Sequence, residues 1–139
     1  MEDIKINVKI KLSGLWVAVM LLYVYGDIFG FYKPGLIEEI ITGEVAGMQI
    51  TQVWLLGFVI MMAIPSVMVF LSLTLTPKVN HWANIIVAIV YFGVLVGALF
   101  VGELSVAYTF SSIVEAVLLA LIVWYAWKWP KQEASIPSL

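Results

Sequence analysis

Four long apolar runs, separated by short polar segments, dominate the pattern of hydrophobic positions along the chain. The runs span about residues 12–32, 53–75, 83–101 and 105–127. Each is near the length of about 20 residues that an α-helix needs to cross a hydrocarbon core. The pattern therefore predicts an all-α fold, an integral membrane antiparallel four-helix bundle. All 139 residues are expected to form this single domain, because the runs leave no room for a separate soluble one.

The longest connection, residues 33–52, carries its own helical periodicity. Its apolar positions are Leu36, Ile37, Ile40 and Ile41, while two glutamates between them fall on the opposite face. Pro34 suits the first position of a helix, and Gly43 supplies a stop. We expect a short amphipathic helix at about 35–42, lying on the outer membrane surface, in preference to an irregular loop.

Composition supports the membrane interpretation and excludes several functions. Hydrophobic residues make up 63% of the chain and charged residues only 12%, against roughly 25% charged in soluble domains. The chain has no arginine and no basic patch, so a nucleic-acid partner is not expected. It also has no cysteine and one histidine, which argues against a metal site. No cofactor is expected, and the expected partners are membrane lipids.

The distribution of lysine predicts how the bundle is oriented. Six lysines fall on one side of the four-span arrangement, namely Lys5, Lys9, Lys11, Lys78, Lys128 and Lys131. Lys33 falls on the other side, together with Glu38, Glu39, Glu44 and Glu103. The positive-inside rule then places both termini and the 76–82 turn in the cytoplasm. Most tryptophans cluster at this predicted inner interface, as expected for an aromatic belt in a cell inner (plasma) membrane.

Glu115 is the strongest candidate for chemistry. Counting from Ser105, it lies about 15 Å deep at 1.5 Å per residue, which is the middle of a core about 30 Å thick. Carboxylates at this depth are costly and mark ion pathways or proton relays by default. Desolvation favours the neutral form, and no lysine lies at a comparable depth. Glu115 therefore holds a proton, binds a transported cation, or is satisfied by hydrogen bonds.

Polar residues on the same span extend from Glu115 towards the predicted outer surface. Tyr108, Ser111 and Ser112 share its helical face, whereas Leu119 and the positions beyond it are apolar. This one-sided stripe favours a pocket or half-channel open to the outside over a continuous pore. The alternative is a structural role, in which Glu115 ties helices together through a hydrogen bond.

Asp27 in the first span is the second acidic candidate. It lies roughly 8 Å below the predicted outer surface, and Tyr23 shares its face. If the first and last spans touch, the Tyr23 hydroxyl could bridge Asp27 and Glu115, and the two carboxylates would share a proton. The alternative is that Asp27 is a hydrated interfacial residue.

Three further features carry structural expectations. Pro65, in the middle of the second span, predicts a kink. Asn80 precedes the third apolar run and is expected to cap that helix. Two glycine pairs at i, i+4 spacing permit close approach of helices, within one chain or between two chains. These pairs are Gly26 with Gly30 and Gly93 with Gly97.

Several segments resemble a family of small bacterial four-helix integral membrane proteins of unknown function. The segments that carry the resemblance are YGDIFGFYKPGL, ITQVWLLG, NHWANII and IVEAVLLALIVWYAWKWP. The resemblance covers about residues 12–130. It implies a single four-helix domain and a bacterial inner-membrane origin, and it brings no activity, cofactor or site residue.

These observations leave three functional hypotheses open. The first is a channel- or transporter-like protein in which Glu115 binds a proton or cation. The second is a non-transporting accessory subunit or lipid-binding scaffold, with Glu115 as a tie between helices. The third, which the sequence favours least, is an intramembrane enzyme that uses Asp27, Tyr108 and Glu115 for acid–base chemistry. Because one four-helix unit has little room for a pore, transport would require a homo-oligomer or a pocket between subunits.

Overall fold

A computed structural model of the chain describes residues 3–101 and 105–129. Its helices are α1 (Val8–Gly30), α2 (Leu36–Thr42), α3 (Gln52–Thr74), α4 (Pro77–Val101) and α5 (Val106–Trp127). Within these described ranges, four helices are long and apolar enough to cross a membrane, and α2 is the short fifth. The predicted four-helix bundle with a short helix after the first span is confirmed. Glu103, Lys131 and the turn at 102–104 lie outside the described residues.

The four long helices alternate in direction and form one bundle. Helix α1 packs against α3 and α5, and α5 also packs against α4. Of the packed pairs of long helices, α3 and α4 share the smallest contact, although only Leu75 and Thr76 separate them. The start of α1, the α3–α4 turn and the end of α5 therefore share one end of the bundle, which we call the terminal end. The opposite end, which carries α2, is the loop end.

The hydrophobic core fills the half of the bundle nearest the terminal end. Its largest fully buried apolar side chains are Leu12, Trp16, Val19, Leu119 and Ile122. In the loop-end half, most side chains of the long helices are exposed, and many of these are large and apolar. Such outward surfaces suit contact with lipid, which explains why so apolar a chain needs only a small interior.

Four fully buried polar or amphipathic side chains lie together at the terminal end and are connected by hydrogen bonds. We call them the terminal network: Trp16, Ser72, Asn80 and Asn84. The Asn84 amide oxygen accepts hydrogen bonds from Trp16 Nε1 at 2.7 Å and from Ser72 Oγ at 3.2 Å. Its amide nitrogen donates to the backbone oxygen of Asn80 at 2.9 Å, and also to the Asn80 side chain. The network joins α1, α3 and α4.

The expected cap at Asn80 is wrong. Helix α4 begins at Pro77, which suits a first turn because it has no N–H to leave unpaired. The predicted 76–82 turn is therefore mostly helix, and Asn80 is a buried residue inside α4. Its amide donates to the Ser72 carbonyl at 2.7 Å, so it satisfies the end of α3 instead. The ring of His81 makes a hydrogen bond to the Ala126 carbonyl near the end of α5.

The connection between α1 and α3 contains a feature that was not predicted. Two-residue strands β1 (Glu44–Val45) and β2 (Met48–Gln49) pair antiparallel after α2. The turn between them consists of Ala46 and Gly47, with φ angles of 52° and 78°. Positive φ at both central positions is the geometry of a tight hairpin. Glycine adopts it freely, but alanine at the first position hides the signal in the sequence.

The glycine pairs do not bring the helices of this chain together. An added Cβ at Gly26, Gly93 or Gly97 would have no neighbouring atom within 4 Å, and at Gly30 it would meet only Leu36 at 3.8 Å. Of the two alternatives for these pairs, close packing within the chain is therefore not observed. Contact between two chains through the same positions stays a prediction.

Candidate functional site

Glu115 occupies the interior of the bundle near its middle. It lies on the buried face of α5, one turn from Ser112 on the loop side and one turn from Leu119 on the terminal side. Its side chain is only 7% exposed. Within residues 3–101 and 105–129, no hydrogen bond or ion pair reaches its carboxyl group. No buried side-chain N or O atom among the described residues lacks a hydrogen-bond partner, so the unbonded carboxyl oxygens of Glu115 are themselves accessible. A carboxyl group in the middle of a membrane-spanning helix is still costly, and such groups mark functional sites by default.

Helix α1 brings two of the predicted residues to Glu115. Both Tyr23 and Asp27 lie within electrostatic range of its carboxyl group, because α1 and α5 pack against each other. Tyr23 is half-buried and Asp27 is exposed. The expected Tyr23 bridge is not formed, since no hydrogen bond links these three side chains in the described part of the chain. The site thus places two carboxyl groups within electrostatic range of each other, and no hydrogen-bond donor of the described residues joins them.

Tyr91 on α4 belongs to the same region and was missed in the sequence. It is 4% exposed, and its ring lies 6.5 Å from that of Tyr23, centroid to centroid. Its hydroxyl donates a hydrogen bond to the carbonyl of Met61 on α3. That carbonyl is four residues before Pro65, which has no N–H to offer it. Pro65 was the feature of the sequence that could have pointed to such a residue, because a carbonyl group freed inside a bundle needs a hydrogen-bond donor from another helix.

The remaining predicted residues differ in how close they lie to the interior. Ser112 is buried beside Glu115 on the same face of α5, and Ser111 is half-buried. Tyr108 is 38% exposed and lies at the surface of the bundle, where its backbone N–H is capped by Ser105. The structure therefore brings Ser112, Tyr23 and Asp27 to Glu115, and leaves Tyr108 outside this group.

An apolar layer separates the site from the terminal network. Val19, Ala88 and Leu119 from three helices are fully or almost fully buried at this level. They lie between Glu115 and the polar side chains around Asn84. No hydrogen bond between described residues connects the two regions, whereas Asp27, on the loop side of the site, is exposed. This arrangement favours an approach to Glu115 from the loop end over one from the terminal end.

The charges at the loop end favour positively charged ligands. The described acidic residues there are Asp27, Glu38, Glu39 and Glu44, against one lysine, Lys33. A surface of one predominant sign raises the local concentration of counter-ions near a cleft. No group of three or more His, Cys, Asp or Glu side chains in the described ranges is placed to hold a metal ion. A cation at Glu115 would therefore have two carboxylates at most, with hydroxyls and water as further ligands.

Comparison with known proteins identifies a family but no activity. The model of a family of unknown function (DUF6326) matches residues 3–136, so the chain belongs to that family. No curated protein and no solved structure matches the chain. The resemblance to an uncharacterised family of four-helix membrane proteins is confirmed, and the bacterial origin stays a prediction.

Proposed function

We propose that this DUF6326 member is a small transporter-like membrane protein in which Glu115 reversibly binds a proton or a small cation. One observation carries the proposal. Glu115 is buried and has no hydrogen bond or counter-charge from the described residues, and a second carboxyl group, Asp27, lies in electrostatic range. Protonation or a bound cation would remove the repulsion between the two carboxylates, which no hydrogen bond or ion pair of the described residues offsets.

The alternatives receive less support from the same geometry. A structural tie requires Glu115 to hydrogen-bond another helix, and within the described residues it does not. An open channel is disfavoured because buried apolar side chains, Val19, Ala88 and Leu119, lie between Glu115 and the terminal network. An intramembrane enzyme that uses Tyr108 is disfavoured because that side chain lies at the surface. We therefore favour a site that is loaded and emptied from the loop end, and a second copy of the chain would supply the rest of any pathway.

Flux through proteoliposomes tests the proposal. We expect proton- or monovalent-cation-driven flux in vesicles that contain the wild-type chain, and flux at the level of empty vesicles for Glu115→Gln, because the amide cannot exchange a proton or neutralise a cation. Asp27→Asn is expected to weaken the flux without abolishing it, since Asp27 is exposed. Helicity and elution in detergent would confirm that each variant is folded.

The matched control is Asp3→Asn, which removes an exposed carboxylate next to the start of α1, away from the loop-end charges. It should transport as the wild type does. A second readout is labelling by a membrane-soluble carbodiimide, which reacts with protonated carboxyl groups and should modify Glu115 in the wild type. Equal flux in folded wild-type and Glu115→Gln vesicles would refute the proposal.

We further propose that both termini face the cytoplasm of a bacterial inner membrane, as the lysines indicate. The chain has no cysteine, so single cysteines can report the orientation directly. In intact cells, an impermeant maleimide is expected to label Glu38→Cys and to leave Lys78→Cys unlabelled; both should react after permeabilisation. Labelling of Lys78→Cys alone in intact cells would mean that the bundle is inserted the other way.

A further inference from the structure

Helix α3 is divided by Pro65 into two halves with very different environments. The buried residues of α3 are Pro65, Met68 and Ser72, all at or beyond the proline on the terminal side. Residues 52–64, which we call the α3 arm, include no buried side chain. On the terminal side, Ser13 Oγ of α1 donates to the Val69 carbonyl at 2.8 Å, and Ser72 joins the terminal network. One half of α3 is anchored and the other half is not.

A single polar contact joins the α3 arm to another long helix in the described part of the chain. This contact is the hydrogen bond from the Tyr91 hydroxyl to the Met61 carbonyl. The acceptor is available because Pro65 cannot donate to it, as a residue four positions further along a helix normally would. The missing helical hydrogen bond also makes Pro65 the natural point for α3 to bend. Pro65 therefore gives α3 both its bending point and the free carbonyl group to which Tyr91 binds.

We infer that Tyr91 is a positioning residue that holds the α3 arm against the bundle and thereby sets the access of ligands to Glu115. The inference rests on the function proposed above for Glu115. Tyr91 is linked to that site through Tyr23, since the two rings are 6.5 Å apart and Tyr23 lies in electrostatic range of the Glu115 carboxyl group. The Tyr23–Tyr91 pair thus places Tyr91 next to the Glu115 site.

The hydrogen bond from Tyr91 to Met61 is weak enough to form and break reversibly, and we call it the latch. Hydrogen bonds between helices in membranes average about 0.6 kcal/mol and so shift a two-state equilibrium only about threefold. When the Tyr91 contact breaks, the arm has no buried side chain to hold it, whereas the anchored half keeps its core contacts. The arm is therefore the part of α3 that moves, with Pro65 as the pivot.

Distances between spin labels test the latch, and the absence of native cysteine makes labelling specific. The reporting pair is Val59→Cys on the α3 arm and Phe110→Cys on α5, both exposed positions. Tyr91→Phe keeps the ring and removes only the donor, and it should raise the longer-distance population about threefold. A reference pair at Leu73→Cys and Val117→Cys, which lies outside the arm, should be unaffected.

Two further variants isolate the mechanism. Ser66→Ala removes a hydrogen bond to the Met62 carbonyl within α3 and should leave the distances unchanged, because that bond joins no second helix. Pro65→Ala supplies the missing N–H to the Met61 carbonyl, so Tyr91→Phe should have little effect in that background. Unchanged distances in Tyr91→Phe, or an equal change with and without Pro65→Ala, would overturn the inference.

The access of ligands to Glu115 is measured separately from the distances, by the rate at which the carbodiimide modifies Glu115. We expect Tyr91→Phe to raise this rate about threefold, in step with the open population. An altered distance with an unaltered rate would refute the role in access. If Glu115→Gln leaves flux unchanged while Tyr91→Phe still moves the arm, the proposed function fails; if flux depends on Glu115 and the arm does not move, the latch fails.

Discussion

Replacing Glu115 with methionine should stabilise the folded bundle by about 1–3 kcal/mol while abolishing transport. Methionine has a similar length and an adaptable, unbranched side chain, so it can fill the same space beside Leu119. The gain is expected because Glu115 is a buried residue, and the described residues offer its carboxyl group neither a hydrogen bond nor a counter-charge. Reversible unfolding in mixed micelles, followed by helicity, would measure the change.

The matched substitution Glu38→Met alters an exposed carboxylate and should change stability by less than about 0.5 kcal/mol. The sign of the Glu115→Met effect separates the two leading functional hypotheses. A stabilised but inactive variant is expected if the carboxyl group is kept for binding. A clear loss of stability would instead identify Glu115 as a tie between helices, and would favour a non-transporting accessory module.

Asn84→Ala should destabilise the bundle more than any other variant named here, by about 2–4 kcal/mol of unfolding free energy. The Asn84 side chain accepts hydrogen bonds from Trp16 and Ser72 and donates to Asn80. All of these groups are fully buried. Removing their shared partner leaves several polar atoms unpaired in an apolar environment, and it also creates a cavity. The same micelle unfolding assay would report the loss.

Two comparisons divide that loss into its parts. Trp16→Phe removes only the indole donor and keeps most of the ring, so it should cost clearly less than Asn84→Ala. Thr74→Ala removes a hydroxyl that bonds to the Phe70 carbonyl within one helix, and it should cost less than about 0.5 kcal/mol. If Asn84→Ala were as stable as Thr74→Ala, the terminal network would have no part in holding the bundle together.

The number and type of the long helices could be predicted because an apolar run of spanning length has few other stable states in lipid. Their ends depended on local chemistry that hydrophobicity does not report. Helix α1 starts at Val8, inside a polar segment, because the Asn7 side chain accepts a hydrogen bond from the Lys9 N–H at 2.8 Å. Helix α4 starts at Pro77, because Asn80 and Asn84 pair with each other and with α3 instead of facing water.

The candidate site could be predicted only as far as single helices determine it. The depth of Glu115 and its face shared with Ser112 follow from helix geometry, and its meeting with Tyr23 and Asp27 required only that α1 and α5 touch. Tyr108 shares that face but lies two turns nearer the loop end, where the neighbouring α5 side chains are exposed, and so it is 38% exposed. Tyr91 was missed because its partner is a carbonyl on another helix, freed by a proline.

The short α3–α4 connection has a consequence for biogenesis. Ser72, Asn80 and Asn84 all belong to this helical hairpin, and they bond to one another across a two-residue turn. The two helices can therefore enter the bilayer together with these polar groups already satisfied, at little cost in hydrocarbon. Trp16 is the one member of the terminal network that comes from outside the hairpin. Its indole N–H finds its acceptor, Asn84, only after the hairpin has formed. The docking of α1 is therefore expected to follow the insertion of α3 and α4 as a pair.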